Sequence, residues 1–192
     1  MENKKSGKHW VTWANSNAKN SKDLNKLVNP FKTNLIAFKK ALEDAGATIK
    51  ISSTRRNAKR AYLFHWSWKI ALKKCKPSEA TAMTGVDILW DHDDDEKSIA
   101  GADEMVKGFG LAIPPSSKVA PSLTSNHIRG KAIDMTITWK KSINVKAKGK
   151  TKKVAVTYMT NANLNTKLHE VGATYDVKKH KKDKPHWSYN GR

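Results

Sequence analysis

One segment governs what this chain can fold into. From Ala132 to Trp139, Ile133, Met135, Ile137 and Trp139 take alternate positions, and Asp134, Thr136 and Thr138 lie between them. Strict alternation marks a half-buried strand, with one face in a core and the other in water. The buried face needs covering elements, and helical patterns precede it. Phe31, Leu35, Phe38, Ala41, Leu42 and Ala45 recur at helical spacing over Pro30 to Ala45, with Asn29 as cap, Pro30 in the first turn and Gly46 at the exit. A second helix is expected from Asn57 to Lys74, burying Ala61, Phe64, Trp68, Ala71 and Leu72 on one stripe.

Shorter signals complete the pattern. Ala47 to Ser53 and Val86 to Trp90 read as strands, and Ser98 to Phe109 as a helix. A long irregular stretch runs from Gly110 to Asn126. Ser142 to Lys146 and Lys153 to Tyr158 flank a turn and predict a hairpin. Asn163 to Val171 reads as a short helix stopped by Gly172, and Tyr175 to Trp187 as strand and loop. The expectation is an α+β fold: a single domain over 23–192, helices packed on a mostly antiparallel sheet, preceded by a basic polar arm over 1–22.

Of the 192 residues, 37 are Lys or Arg and 17 are Asp or Glu, a net charge of +20. Such an excess needs a polyanionic partner or must at least tolerate one, and nucleic acid, lipopolysaccharide and cell-wall polymer all qualify. No stretch reaches the roughly 18 consecutive apolar residues of a membrane helix. The first 22 residues lack the apolar run of a secretory signal, so work in the periplasm or on the cell wall would follow release or export by another route. The one cysteine, Cys75, excludes an internal disulfide and a multi-cysteine metal site. Any metal must be held by His and carboxylate.

Two strings offer that chemistry. In Ser125-Asn126-His127-Ile128-Arg129-Gly130-Lys131-Ala132-Ile133-Asp134, the separation of seven would put His127 and Asp134 on opposite faces of one regular strand. They converge only if His127 lies off the strand, which a turn at Gly130 makes feasible. In Asp183-Lys184-Pro185-His186-Trp187, Pro185 biases Lys184 toward extended backbone, so Asp183 and His186 project from a stiff segment. Two imidazoles and a carboxylate form a common catalytic zinc set with a fourth position open to water. Asp183 is the candidate for taking that water's proton, and amide hydrolysis is the chemistry implied.

The pattern Ser-x-His-x-x-Gly-x-Ala-x-Asp, followed by Asp-x-x-His-Trp, resembles the zinc peptidases of the D-Ala-D-Ala carboxypeptidase and dipeptidase family, which includes VanX, VanY and the phage L-alanyl-D-glutamate endopeptidases (endolysins). The resemblance covers roughly residues 30 to 190. It implies cleavage of the peptidoglycan stem peptide by a monomer holding one Zn2+, with His127, Asp134 and His186 as ligands and Asp183 as base. Asp as the base tilts the likeness toward the phage endopeptidases. Ile51-Ser52-Ser53-Thr54-Arg55-Arg56-Asn57 looks like the family segment whose Arg steadies the substrate carbonyl. Aligning Ser53 with the family Ser places Arg56 on that Arg. The family's Gly-Tyr pair is here Thr54-Arg55, which keeps Arg55 as a rival.

Blander readings stand beside these. Asp91 to Glu96 imitates the start of a calcium loop, but Glu96 replaces the required Gly and Ala102 the final Glu, so a solvated acidic turn is expected. Trp66 and Trp68 cannot share one helix face, and Trp187 is expected to wall the metal pocket. His9, His65, His92, His169 and His180 have no ligand spacing. The basic surface fits an anionic wall or outer-membrane polymer. The alternative functions are a non-enzymatic nucleic-acid-binding protein, for which no motif speaks, and an inactive wall-binding relative, against which the full ligand and base set argues.

Overall fold

The computed structural model describes residues 4–192. In chain order the elements are α1 (His9–Asn17), α2 (Phe31–Asp44), β1 (Thr48–Ser53), α3 (Ala58–Ala71), α4 (Asp95–Phe109), β2 (Ala132–Thr138), β3 (Ile143–Lys146), β4 (Lys153–Val156), α5 (Thr166–Thr174), β5 (Lys178–Lys179) and β6 (His186–Ser188). The α+β expectation holds, with five α-helices and only antiparallel pairing between the strands among the described residues. The chain divides into two compact units where one domain and an arm were expected. A sheet unit comprises 21–55 and 125–192, and a helical unit comprises 56–124 with the residues up to 20.

In the sheet unit the strand order is β1-β2-β6-β5, with β3 and β4 as a separate hairpin. The alternation in β2 does what the pattern predicts: Ile133, Met135, Ile137 and Trp139 are all buried. They share a core with Phe31, Leu35, Phe38 and Leu42 of α2, Leu168 and Val171 of α5, and Val145 and Val156 of the hairpin. The opposite face of β2 presents Asp134, half-buried, and the exposed Thr136 and Thr138. A covered face and a wet face thus emerge from one strand's pleat.

Gly172 does not stop α5, which runs on to Thr174. A Cβ at this position would lie 2.7 Å from the Trp187 ring and 2.7 Å from the Val177 carbonyl oxygen. Gly172 is therefore the contact that lets β6 lie against the helix. The Trp187 ring fills that space, 5.5 Å from Phe38 between ring centres.

In the helical unit α3 is buried on most sides, at Ala61, Tyr62, Leu63, Trp66, Ser67, Trp68 and Ile70. The expected stripe is only partly right: Ala61 and Trp68 are buried, but Phe64, Ala71 and Leu72 are half-buried, because the core of this unit takes Tyr62, Leu63, Trp66 and Ile70, and the 110–124 loop bonds the helix as well. Trp68 Nε1 donates to the Ala112 carbonyl at 2.9 Å, and His65 Nδ1 bonds the Pro121 carbonyl at 2.9 Å. The expected arm contains α1, whose Trp10 and Ala14 join the same core. No strand forms at 86–90, where only isolated bridges occur. The acidic run serves its own backbone: Asp94 accepts from the Lys97 amide and caps α4, and Asp91 accepts from the Asp93 amide.

Replacing Gly172 by Ala should destabilise the protein by about 1–3 kcal/mol, since the clash outweighs the gain in helix propensity. Urea unfolding followed by near-ultraviolet circular dichroism measures this, and an unchanged midpoint would contradict the packing described.

Candidate metal centre

Three side chains meet on the wet face of the sheet unit. His127 Nε2 lies 3.1 Å from Asp134 Oδ1 and 3.1 Å from His186 Nδ1, and His186 Nδ1 lies 3.2 Å from Asp134 Oδ1. They are the only group of three or more His, Cys, Asp or Glu side chains among the described residues placed to hold a metal ion. Asp134 and His186 are direct cross-strand neighbours in β2 and β6. His127 lies off the strand, as its spacing requires, in a turn where Gly130 has a φ of +67° and its amide bonds the His127 carbonyl.

The outer nitrogen of each ring fixes what the inner one offers. His127 Nδ1 lies 2.6 Å from the Thr54 carbonyl oxygen, and His186 Nε2 lies 3.2 Å from the main-chain oxygen of Arg192. A carbonyl oxygen only accepts, so both outer nitrogens carry hydrogens and donate. In the neutral rings both inner nitrogens then carry lone pairs, facing each other and a carboxylate oxygen. Three acceptors converge with no donor between them. A cation satisfies this arrangement, and the edges come close to fitting one: ligand atoms about 2.0–2.2 Å from a tetrahedral ion lie roughly 3.3–3.6 Å apart, slightly more than the distances here. His127, Asp134 and His186 can therefore hold a metal ion.

Burial alone would raise the Asp134 carboxyl, whereas positive charge beside it, on protonated rings of His127 and His186 or on a cation in their place, holds it well below the usual carboxylate range. Both imidazoles are buried, and Asp134 keeps 21% of its side-chain surface. The centre is enclosed beneath and open on the carboxylate side.

The supporting groups were not foreseen. Thr54 follows β1 and presents its carbonyl to His127, while Arg55 Nε donates to the Ile128 carbonyl at 3.4 Å. Asn126 Nδ2 and Ser188 Oγ donate to the same Arg192 oxygen that orients His186, at 2.6 and 2.9 Å. Lys179 is buried, and its Nζ donates to the carbonyls of His180, Asp183 and His186 at 2.7, 2.6 and 3.3 Å. It gathers the loop that carries Asp183 and His186 around one ammonium group, which burial pushes below its ordinary pKa. His180 packs edge-on against His186, with ring centres 5.7 Å apart.

Asp183 is exposed and stands outside the ligand triangle. Arg56, half-buried, is the first residue of the helical unit after β1. Trp187 does not wall the centre. Alternation along β6 sends it to the opposite face from His186, into the core, with 2% of its surface exposed.

Titration with a divalent metal should show one ion per chain. His127→Ala should remove that binding with the circular dichroism spectrum unchanged, and Lys179→Met should weaken it by about 10–100-fold through the loosened loop. Calorimetry reads both effects, and undiminished binding by His127→Ala would refute the ligand set. Comparison with family models, with curated proteins and with solved structures returns no match to this chain.

Proposed function

We propose that this chain is a zinc-dependent peptidase that hydrolyses an amide bond in the peptidoglycan stem peptide, of L,D-endopeptidase or D,D-carboxypeptidase type. The observation that carries the reading is the set of three converging lone pairs on the open face of a sheet, with both imidazoles locked by main-chain oxygens. Two neutral imidazoles and one carboxylate suit zinc and leave a fourth position for solvent. When bound, zinc would lower the pKa of a coordinated water to around 7 and polarise a carbonyl.

The chain's own groups supply the rest. Asp183, outside the triangle yet three residues from His186, takes the proton of the attacking water and returns it to the leaving amine. Arg56, on the likeness to the family segment, is assigned the role of steadying the carbonyl oxygen as negative charge develops there. Arg55 bonds the main chain beside His127, which suits a structural role.

Charge supports the choice of substrate surface. The sheet unit holds 23 Lys and Arg against seven Asp and Glu, a net +16, and the helical unit 14 against ten, a net +4. No carboxylate occurs from 135 to 169, while eight lysines do. The hairpin is thus suited to lie on an anionic wall or outer-membrane polymer, keeping the site near its substrate.

Purified peptidoglycan digested by the zinc-loaded protein should give muropeptides of altered mass. Chelation should abolish this and added zinc restore it. Asp183→Asn should lower kcat by about 10²–10⁴-fold with metal still bound, and Arg56→Ala by about 10²–10³-fold, more than Arg55→Ala. Continued digestion by the chelated protein would overturn the metal mechanism. Unchanged muropeptides together with steeply salt-dependent affinity for nucleic acid would favour the binding-protein alternative.

A further inference from the structure

The sheet has an open edge beside the candidate centre. β6 pairs with β2 only over Ala132–Asp134, and the last bond of that side is from the Met135 amide to the Pro185 carbonyl, 2.9 Å. β2 nevertheless continues to Thr138. In an antiparallel strand the main-chain groups of successive residues point alternately to the two neighbours. The Asp134 carbonyl accepts from Ser52 on the β1 side, and the Met135 amide points to the β6 side. By the same alternation the amide and carbonyl of Ile137 point to the β6 side, where no strand continues.

Those groups border a cavity of about 290 Å³ that prolongs the line of β6. Its far wall is Thr160 to Asn163, and its end nearest the centre is Lys184 and Pro185. The lining holds one cation, Lys184, and no carboxylate. Exposed strand edges are ordinarily blocked by a covering element, a proline or inward-pointing charge. β2 carries none of these at 136–138, and Ile137 lies three residues, about 10 Å, along the strand from Asp134.

We propose that this groove binds an extended peptide bearing a free carboxylate, as an added strand hydrogen-bonded to Ile137, with the carboxylate on Lys184. The inference rests on the peptidase reading and deepens it, for it gives part of the stem peptide a place: His186 of β6 occupies the position beside Asp134, so the added strand begins where β6 ends, at Pro185, and leads away from the centre. Main-chain pairing recognises the backbone whatever its side chains, and Lys184 selects for acidity. Lys184 is a specificity-determining residue here and takes no part in bond cleavage.

The test uses zinc-loaded protein carrying Asp183→Asn, titrated with L-alanyl-γ-D-glutamyl-L-lysine and with its fully amidated form. Calorimetry and amide hydrogen exchange by NMR are the readouts. The free acid should slow exchange at Ile137 by about tenfold or more and leave the hairpin-turn amide of Gly149 unchanged. Lys184→Gln should weaken the free acid by about tenfold and leave the amidated peptide unaffected. Unaltered Ile137 exchange at saturation, equal weakening of both peptides, or no binding at millimolar peptide would each overturn the proposal. Cleavage is scored separately with the unsubstituted protein. Cleavage without Ile137 protection removes the groove alone, whereas protection without cleavage removes the peptidase reading and keeps the groove.

Discussion

Three lone pairs aimed at one another from within bonding distance are unfavourable unless a positive charge joins them, and the sheet unit is arranged so that they have no escape. A histidine ring can usually relieve such a clash by moving its proton to the other nitrogen. Here each ring's proton is committed to a main-chain oxygen, from Thr54 for His127 and from Arg192 for His186. Asp134, while ionised, accepts and cannot donate. The polarity of the site is therefore a property of the backbone that surrounds it.

That dependence explains much of the topology. β2 must lie between β1, which delivers Thr54, and β6, which delivers His186. Asp134 pairs with Ser53 on one side and His186 on the other, so a shift of one residue in either ladder would send Asp134 or His186 to the core face. The register is pinned from beneath by Trp187 against Phe38, and by the missing side chain at Gly172. The core face and the metal face are thus two sides of one constraint: packing under β6 sets the positions of the ligands above it.

This division also sorts what was legible in the sequence. The β2 alternation and the α2 stripe are local patterns with strong periodicity, and both elements form within a residue or two of expectation. The need for His127 to leave the strand followed from an odd separation and a glycine. What escaped the sequence depends on contacts with distant residues. Gly172 looks like a helix stop until the ring of Trp187, fifteen positions later, is placed on it. α1 has too few apolar residues to declare itself, and its Trp10 is buried only because α4 and the aromatic residues of α3 surround it. Lys179 stands in a run of lysines, and nothing in that run distinguishes the one that is buried.

Lysine in fact does two different jobs in this unit, and solvent exposure decides which. Charges on the exposed hairpin are screened beyond about 8 Å at physiological ionic strength, so they act on a polymer in contact with the surface and hardly on an enclosed site. Lys179 is shielded from that screening and bonded to three carbonyls, so its charge organises the loop on which His186 and Asp183 sit. Neutralising hairpin lysines changes surface charge, while neutralising Lys179 changes geometry. The same net charge that advertises a polyanionic partner thus contains one residue whose role is internal, and burial is what separates the two.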